Sequence, residues 1–102
     1  MLFMPVSSTG LDPLLAYDFT FYASRMSVGD NRETGYTVTG ANSVFAALNP
    51  SVNHDQFVTV TGIEPDSDGE IAIDLAPTGN NVNSNHFTYL GVMKVEPKSP
   101  VN

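Results

Sequence analysis

Arg25 and Arg32 are the only arginines of the chain, and both lie in one polar stretch with Asp30, Asn31 and Glu33. A guanidinium is a planar fork of donors that fits a carboxylate or the vicinal hydroxyls of a sugar. The same charges can instead pair among themselves and pin a long loop. A second polar stretch, Asn49 to Asp55, sets His54 beside Asp55. Together they offer half of a metal or acid–base pair, although adjacent strand residues point apart. The stretch otherwise reads as a solvated turn. A third stretch, Pro77 to His86, is rich in asparagine, with Asn80, Asn81, Asn83 and Asn85 close together. Amides both donate and accept, and carbonyl oxygens suit calcium. Asparagine also tolerates left-handed backbone, so plain turn chemistry is the other reading. Tyr22 and Tyr36 either offer a flat face to a sugar ring or pack inside. The candidate ligand-binding residues are therefore Arg25, Asp30, Asn31, Arg32, Glu33, Tyr22, Tyr36, Asn80, Asn81 and His86. For calcium, the one cofactor considered, Asp30 and Asp55 are the candidate ligands.

The chain has no G-x-S-x-G elbow, no H-E-x-x-H, no P-loop and no G-x-G-x-x-G. Two histidines and scattered acids name no reaction. The expectation is a non-catalytic module, accessory to other chemistry at most.

A length of 102 residues corresponds to one domain, taken as 1–102. With no cysteine there is no disulfide framework and no zinc–thiolate site. Eleven acids against four bases give a formal charge of −7. Phosphate binding needs a basic surface, so nucleic acid and anionic membranes are unfavoured partners. No apolar run is long enough to span a bilayer. The start, MLFMPVSS, is short and lacks a basic region, so it does not read as a signal peptide.

These polar stretches need a scaffold, and the sequence describes a β one. From Tyr17 to Gly40 it reads as two strands around the arginine loop. Tyr17, Phe19, Phe21 and Ala23 alternate with Asp18, Thr20, Tyr22 and Ser24, as a strand with one buried face requires. Strands are expected over Leu2–Val6, 16–25, 34–40, 43–48, 56–63, 70–76 and 86–96, with a loose tail over 97–102. No segment sustains a helical period. About seven short strands punctuated by Gly, Pro, Asn and Asp predict an all-β antiparallel sandwich of Greek-key or jelly-roll type. Thr9-Gly10-Leu11-Asp12-Pro13 is echoed by Thr61-Gly62-Ile63-Glu64-Pro65, and the same offset carries Phe19, Phe21 and Ala23 onto Ile71, Ile73 and Leu75. The pattern Leu11-x-Pro13-x-x-x-Tyr17 looks like a tyrosine corner, whose hydroxyl ties back to the preceding backbone. If strands alternate up and down, the turns at 7–15, 41–42 and 64–69 share one end. The polar loops at 26–33, 49–55 and 77–85 share the other, where β-sandwiches keep their binding sites.

Tyr17–Arg25, Asp30–Thr34, Tyr36–Gly40, Asn80-Asn81 and Phe87–Val92 together resemble galactose-binding-like jelly-roll domains of secreted bacterial proteins. The resemblance covers about residues 7 to 96 and implies a jelly-roll fold and a secreted, extracellular setting beside polysaccharide-degrading enzymes. Such domains begin with further strands, so the chain is expected to be a shortened relative or the back half of a larger domain. The expected function is carbohydrate binding at the polar rim, the alternative being a structural or assembly domain with no small ligand. The uncharged, apolar start predicts a homodimer through Leu2–Val6 or the strand beside it.

Overall fold

The chain is all-β. The computed structural model describes residues 4–8, 10–12, 14–85 and 87–98, with side chains from residue 10 onward. The strands are β1 (Met4–Ser8), β2 (Ala16–Tyr22), β3 (Thr34–Thr39), β4 (Ser43–Leu48), β5 (Val58–Ile63), β6 (Ile71–Pro77) and β7 (Val92–Lys98). Two antiparallel sheets, ordered β1-β6-β3-β4 and β5-β2-β7, pack as a β-sandwich with no helix among the described residues. No helix there is long and apolar enough to cross a membrane.

The alternation along β2 sets the core. Phe19, Phe21 and Ala23 are buried, and so are Ile71, Ile73 and Leu75, the residues that the repeated offset pairs with them. Tyr36 stacks on Phe21 across the two sheets, with ring centroids 4.4 Å apart and planes within 1°. Each buried Phe, Ile or Leu side chain of this set contributes about 1.5–3 kcal/mol over exposure. β2 and β3 flank the arginine loop as expected, but they belong to opposite sheets, so that loop crosses the end of the sandwich. The alanine-bearing segment Ser43–Leu48 is a strand, in register with β3 from Thr34↔Leu48 to Thr39↔Ser43.

The two ends separate as the alternating direction of the strands requires. At the turn end, Leu11 N donates to Gly69 O at 3.0 Å and Ala41 N to Glu64 O at 2.7 Å. The tyrosine corner is present: Asp12 N donates to the Tyr17 hydroxyl at 2.9 Å. The echoed glycines share a left-handed backbone, with φ of +70° at Gly10 and +71° at Gly62, a conformation that side chains resist. Gly62 sits where the β2–β5 register slips between Tyr17 and Phe19. There the Asp18 carboxylate accepts the Gly62 N–H at 3.0 Å and an ion pair from Lys98 at 2.8 Å. Burial alone would push the Asp18 carboxyl up, but the Lys98 and Gly62 bonds outweigh it and hold it below the ordinary value.

Several boundaries differ from the sequence expectation. The strand expected over 86–96 begins at Val92 and runs to Lys98, so Pro97 and Lys98 belong to β7 rather than to a loose tail. Residues 87–91 leave the ladder because other groups take up their backbone: Tyr36 donates to Tyr89 O at 2.6 Å, and Gly91 N donates to Tyr22 O at 3.0 Å. β2 ends at Tyr22 rather than residue 25, since Arg25 N turns to Pro50 O at 2.7 Å. β5 starts at Val58 rather than residue 56, because the Gln56 backbone bonds both ways with the Asn53 side chain. The first strand pairs with β6 over Met4–Ser8; Leu2 and Phe3 lie outside the described residues.

Candidate functional site

The three polar loops do meet at one end. Asp30 is their junction. Its carboxylate takes Arg32 Nε at 2.9 Å and Asn83 Nδ2 at 2.8 Å, while its carbonyl takes the Ser51 hydroxyl at 2.6 Å. The bonds from Asn83 and Arg32 hold the Asp30 carboxyl below its ordinary range. Arg32 also donates to the Tyr89 hydroxyl at 2.6 Å, and its backbone N–H goes to Asn49 Oδ1 at 3.1 Å. Its guanidinium therefore titrates higher still, through Asp30 and then Tyr89.

The asparagines are mainly turned inward on the loops themselves. Asn53 donates to Ala23 O and Gln56 O and accepts from Gln56 N. Asn81 donates to Glu33 O and Phe87 O and accepts from Asn83 N. Asn31 accepts from Glu33 N, the local turn that a short amide side chain favours. Asn80 donates to the Glu33 carboxylate at 3.1 Å, which also accepts from the Thr78 hydroxyl. Arg25 is the exposed arginine. Among the described residues its guanidinium reaches only a loop carbonyl, Met26 O at 3.3 Å, while Asp30 goes to Arg32.

Tyr36 is 0% exposed and burial pushes its hydroxyl up to about 12, so it offers no face to a ligand. The proposed calcium ligands are placed no better. Both Asp30 oxygens are bonded, one of them to a guanidinium that repels a cation. The Asp55 carboxylate is exposed and accepts from Gln56 Nε2. Among the described residues no group of three or more His, Asp or Glu is arranged to hold a metal. His54 is exposed, and His86 lies outside the described residues.

Tyr22 leads to a different place. Its hydroxyl donates to Asn53 O at 3.1 Å, so the second polar loop fixes the ring. The ring forms one wall of an open groove of about 560 Å³ on the outer face of the β5-β2-β7 sheet, lined by Thr20, Tyr22, Phe57, Val92, Lys94 and Glu96. Phe57 is 63% and Val92 59% exposed. Lys94 and Glu96 stand 3.4 Å apart along the groove, an exposed pair held weakly enough to exchange for other partners.

Of the sequence candidates, the tertiary structure unites Asp30, Asn31, Arg32, Glu33, Asn80 and Asn81 in the rim network. Tyr22 it places in the groove instead. Asn49, Asn53 and Tyr89 in the network, and Phe57, Lys94 and Glu96 in the groove, were not singled out by sequence; Asn83 was named in the asparagine-rich stretch but not among the candidate binding residues. Phe57 was findable: it is the one large apolar residue on the outward phase of Phe57-Val58-Thr59-Val60-Thr61. No protein family, curated protein or solved structure matches the chain.

Proposed function

We propose that this chain is a non-catalytic module that binds carbohydrate, and that the groove over β5-β2-β7 is where it does so. The observation that carries the reading is the exposed Phe57 ring beside a Tyr22 ring that its hydroxyl bond holds in place. Aromatic rings suit the apolar C–H faces of a pyranose. Lys94, Glu96 and Thr20 supply donors and acceptors at its edge for hydroxyls. Because the rim is already bonded within itself, Tyr22 needs no ligand to become ordered, which lowers the cost of binding. The nested antiparallel pairs β2–β7 and β3–β6 support the jelly-roll reading of the wiring. The resemblance to domains found beside polysaccharide-degrading enzymes supports the ligand class and an extracellular setting.

The test is a glycan array followed by calorimetric titration of the best hit. Phe57→Ala should weaken binding about tenfold or more, a loss of about 1.4 kcal/mol, without lowering the melting temperature. Arg25→Ala should leave binding unchanged. The reverse pattern moves the site to the rim.

The second reading, a structural or assembly domain without a small ligand, is favoured by one observation: Arg32 is neutralised by Asp30 and the rim asparagines bond mainly to the loops. Absence of binding to any arrayed glycan supports it.

A further inference from the structure

The residues that line the groove are drawn out along the strands rather than gathered round one point. Register sets them in successive rows on the outward phase of the sheet: Tyr22 opposite Val92, then Thr20 opposite Lys94, then Asp18 opposite Glu96. Phe57 belongs to the first row, since its neighbour Val58 faces Phe21. Rows repeat every two residues, about 7 Å, so the groove runs about 14 Å along β2 and β7. Its chemistry changes on the way. The first row is two aromatic rings and a valine. The second is Thr59–Thr20–Lys94, with the two hydroxyls 3.1 Å apart. The third offers Glu96, because the Asp18 carboxylate is taken up by Gly62 N–H and Lys98. On β2 the outward residues beyond either end are Ser24 and Ala16, too small to raise a wall. The charges of the groove cancel: Lys94 and Glu96, 3.4 Å apart, are the one cation and the one anion among its described lining residues.

Resting on the carbohydrate reading, we infer that the ligand is an internal stretch of an uncharged polysaccharide, about three sugars long, laid along β2 and β7. A single pyranose covers the two rings and is about as long as one row spacing. Filling the second and third rows takes the next sugars of a chain, whose hydroxyls meet Thr20 and Lys94 and then Glu96. Ends without walls let the chain continue in both directions, so no free terminus is required. Charge selects the class of chain. A protein of formal charge −7 repels a polyanion. Lys94 is already neutralised by Glu96, and no guanidinium fork lines the groove to grip a uronate or a sulfate. An aminated chain is drawn by the net charge, but it brings a second cation beside Lys94.

Calorimetric titration of the full chain with sugars of increasing length tests this. The probes are cello-, manno- and xylo-oligosaccharides from one sugar to about six, with oligogalacturonates and chitosan oligomers of the same lengths. For at least one uncharged series, affinity should rise about tenfold or more from one sugar to three and then level off. The galacturonates should bind about tenfold more weakly at low ionic strength, and added salt should narrow that gap. Glu96→Ala should flatten the gain with length, whereas Phe57→Ala should weaken every length by the same factor. Melting curves confirm that each variant is folded. Equal affinity for one sugar and for three, or tighter binding of the galacturonates or the chitosan series, overturns this inference and leaves the carbohydrate reading standing. A blank result with every sugar overturns both.

Discussion

Asp30 and Asn83 are separated by 53 positions, yet the Asn83 amide donates to the Asp30 carboxylate at 2.8 Å. The bond ties the first polar loop to the third, and Ser51 brings the second to the same residue. One aspartate thus holds the three loops in a fixed arrangement, and through the second loop it steadies the Tyr22 ring.

Asn83→Ala should be costly. Asn83 is buried and bonds Asp30, Asn85 N and Phe87 N. Loss of those partners leaves buried polar groups unsatisfied, at about 2 kcal/mol. A lowered urea midpoint with an unchanged slope is the expected outcome.

Tyr17→Phe removes the corner bond to Asp12 N while keeping the ring in the core. The expected loss is about 1 kcal/mol, read from the same urea curves. No change in glycan affinity should follow, because the Tyr17 side chain lies in the core and not on the outer face that carries the groove.

Val52 has φ of +51° at an exposed loop position. A β-branched residue is strained there. Val52→Asn should therefore stabilise by about 0.5–1 kcal/mol, visible as a rise in melting temperature.

The Asp18–Lys98 pair sets a pH window. The folded Asp18 carboxyl lies below its ordinary 3.8, so its contribution is complete above that value and is lost as pH falls through the lower folded one. Lys98 is raised above 10.5 by Asp18, so its contribution is complete below 10.5 and is lost as pH rises through the higher folded value. Asp18→Asn should be less stable than the parent near neutrality, and the gap should close in acid. Urea midpoints from neutral pH to below the ordinary aspartate range check this.

Calcium should not bind at Asp30, because Arg32 holds that carboxylate. The expected result is an unchanged melting temperature in millimolar calcium. A rise would show that the ion displaces the guanidinium.

Much of this molecule is local and therefore legible in the chain. The inward phase of β2 depends only on the order Tyr17, Phe19, Phe21. The corner at Leu11 to Tyr17 and the echoed Gly10 and Gly62 are short-range patterns with short-range causes. The gathering of three loops at one end follows from alternating strand direction. What the loops do there is not local. An asparagine that can face a ligand can equally face a neighbouring loop, and Asn81 and Asn83 bond Glu33 O and Asp30 because the fold sets residues about fifty positions away beside them. Tyr22 and Tyr36 look alike in sequence. Only the packing of one sheet on the other buried Tyr36 against Phe21 and left Tyr22 on the outer face. The groove itself is made by β7 lying beside β2, a pairing between distant segments that residue types and periodicity do not encode, because a strand carries the phase of its own side chains and not the identity of its neighbour.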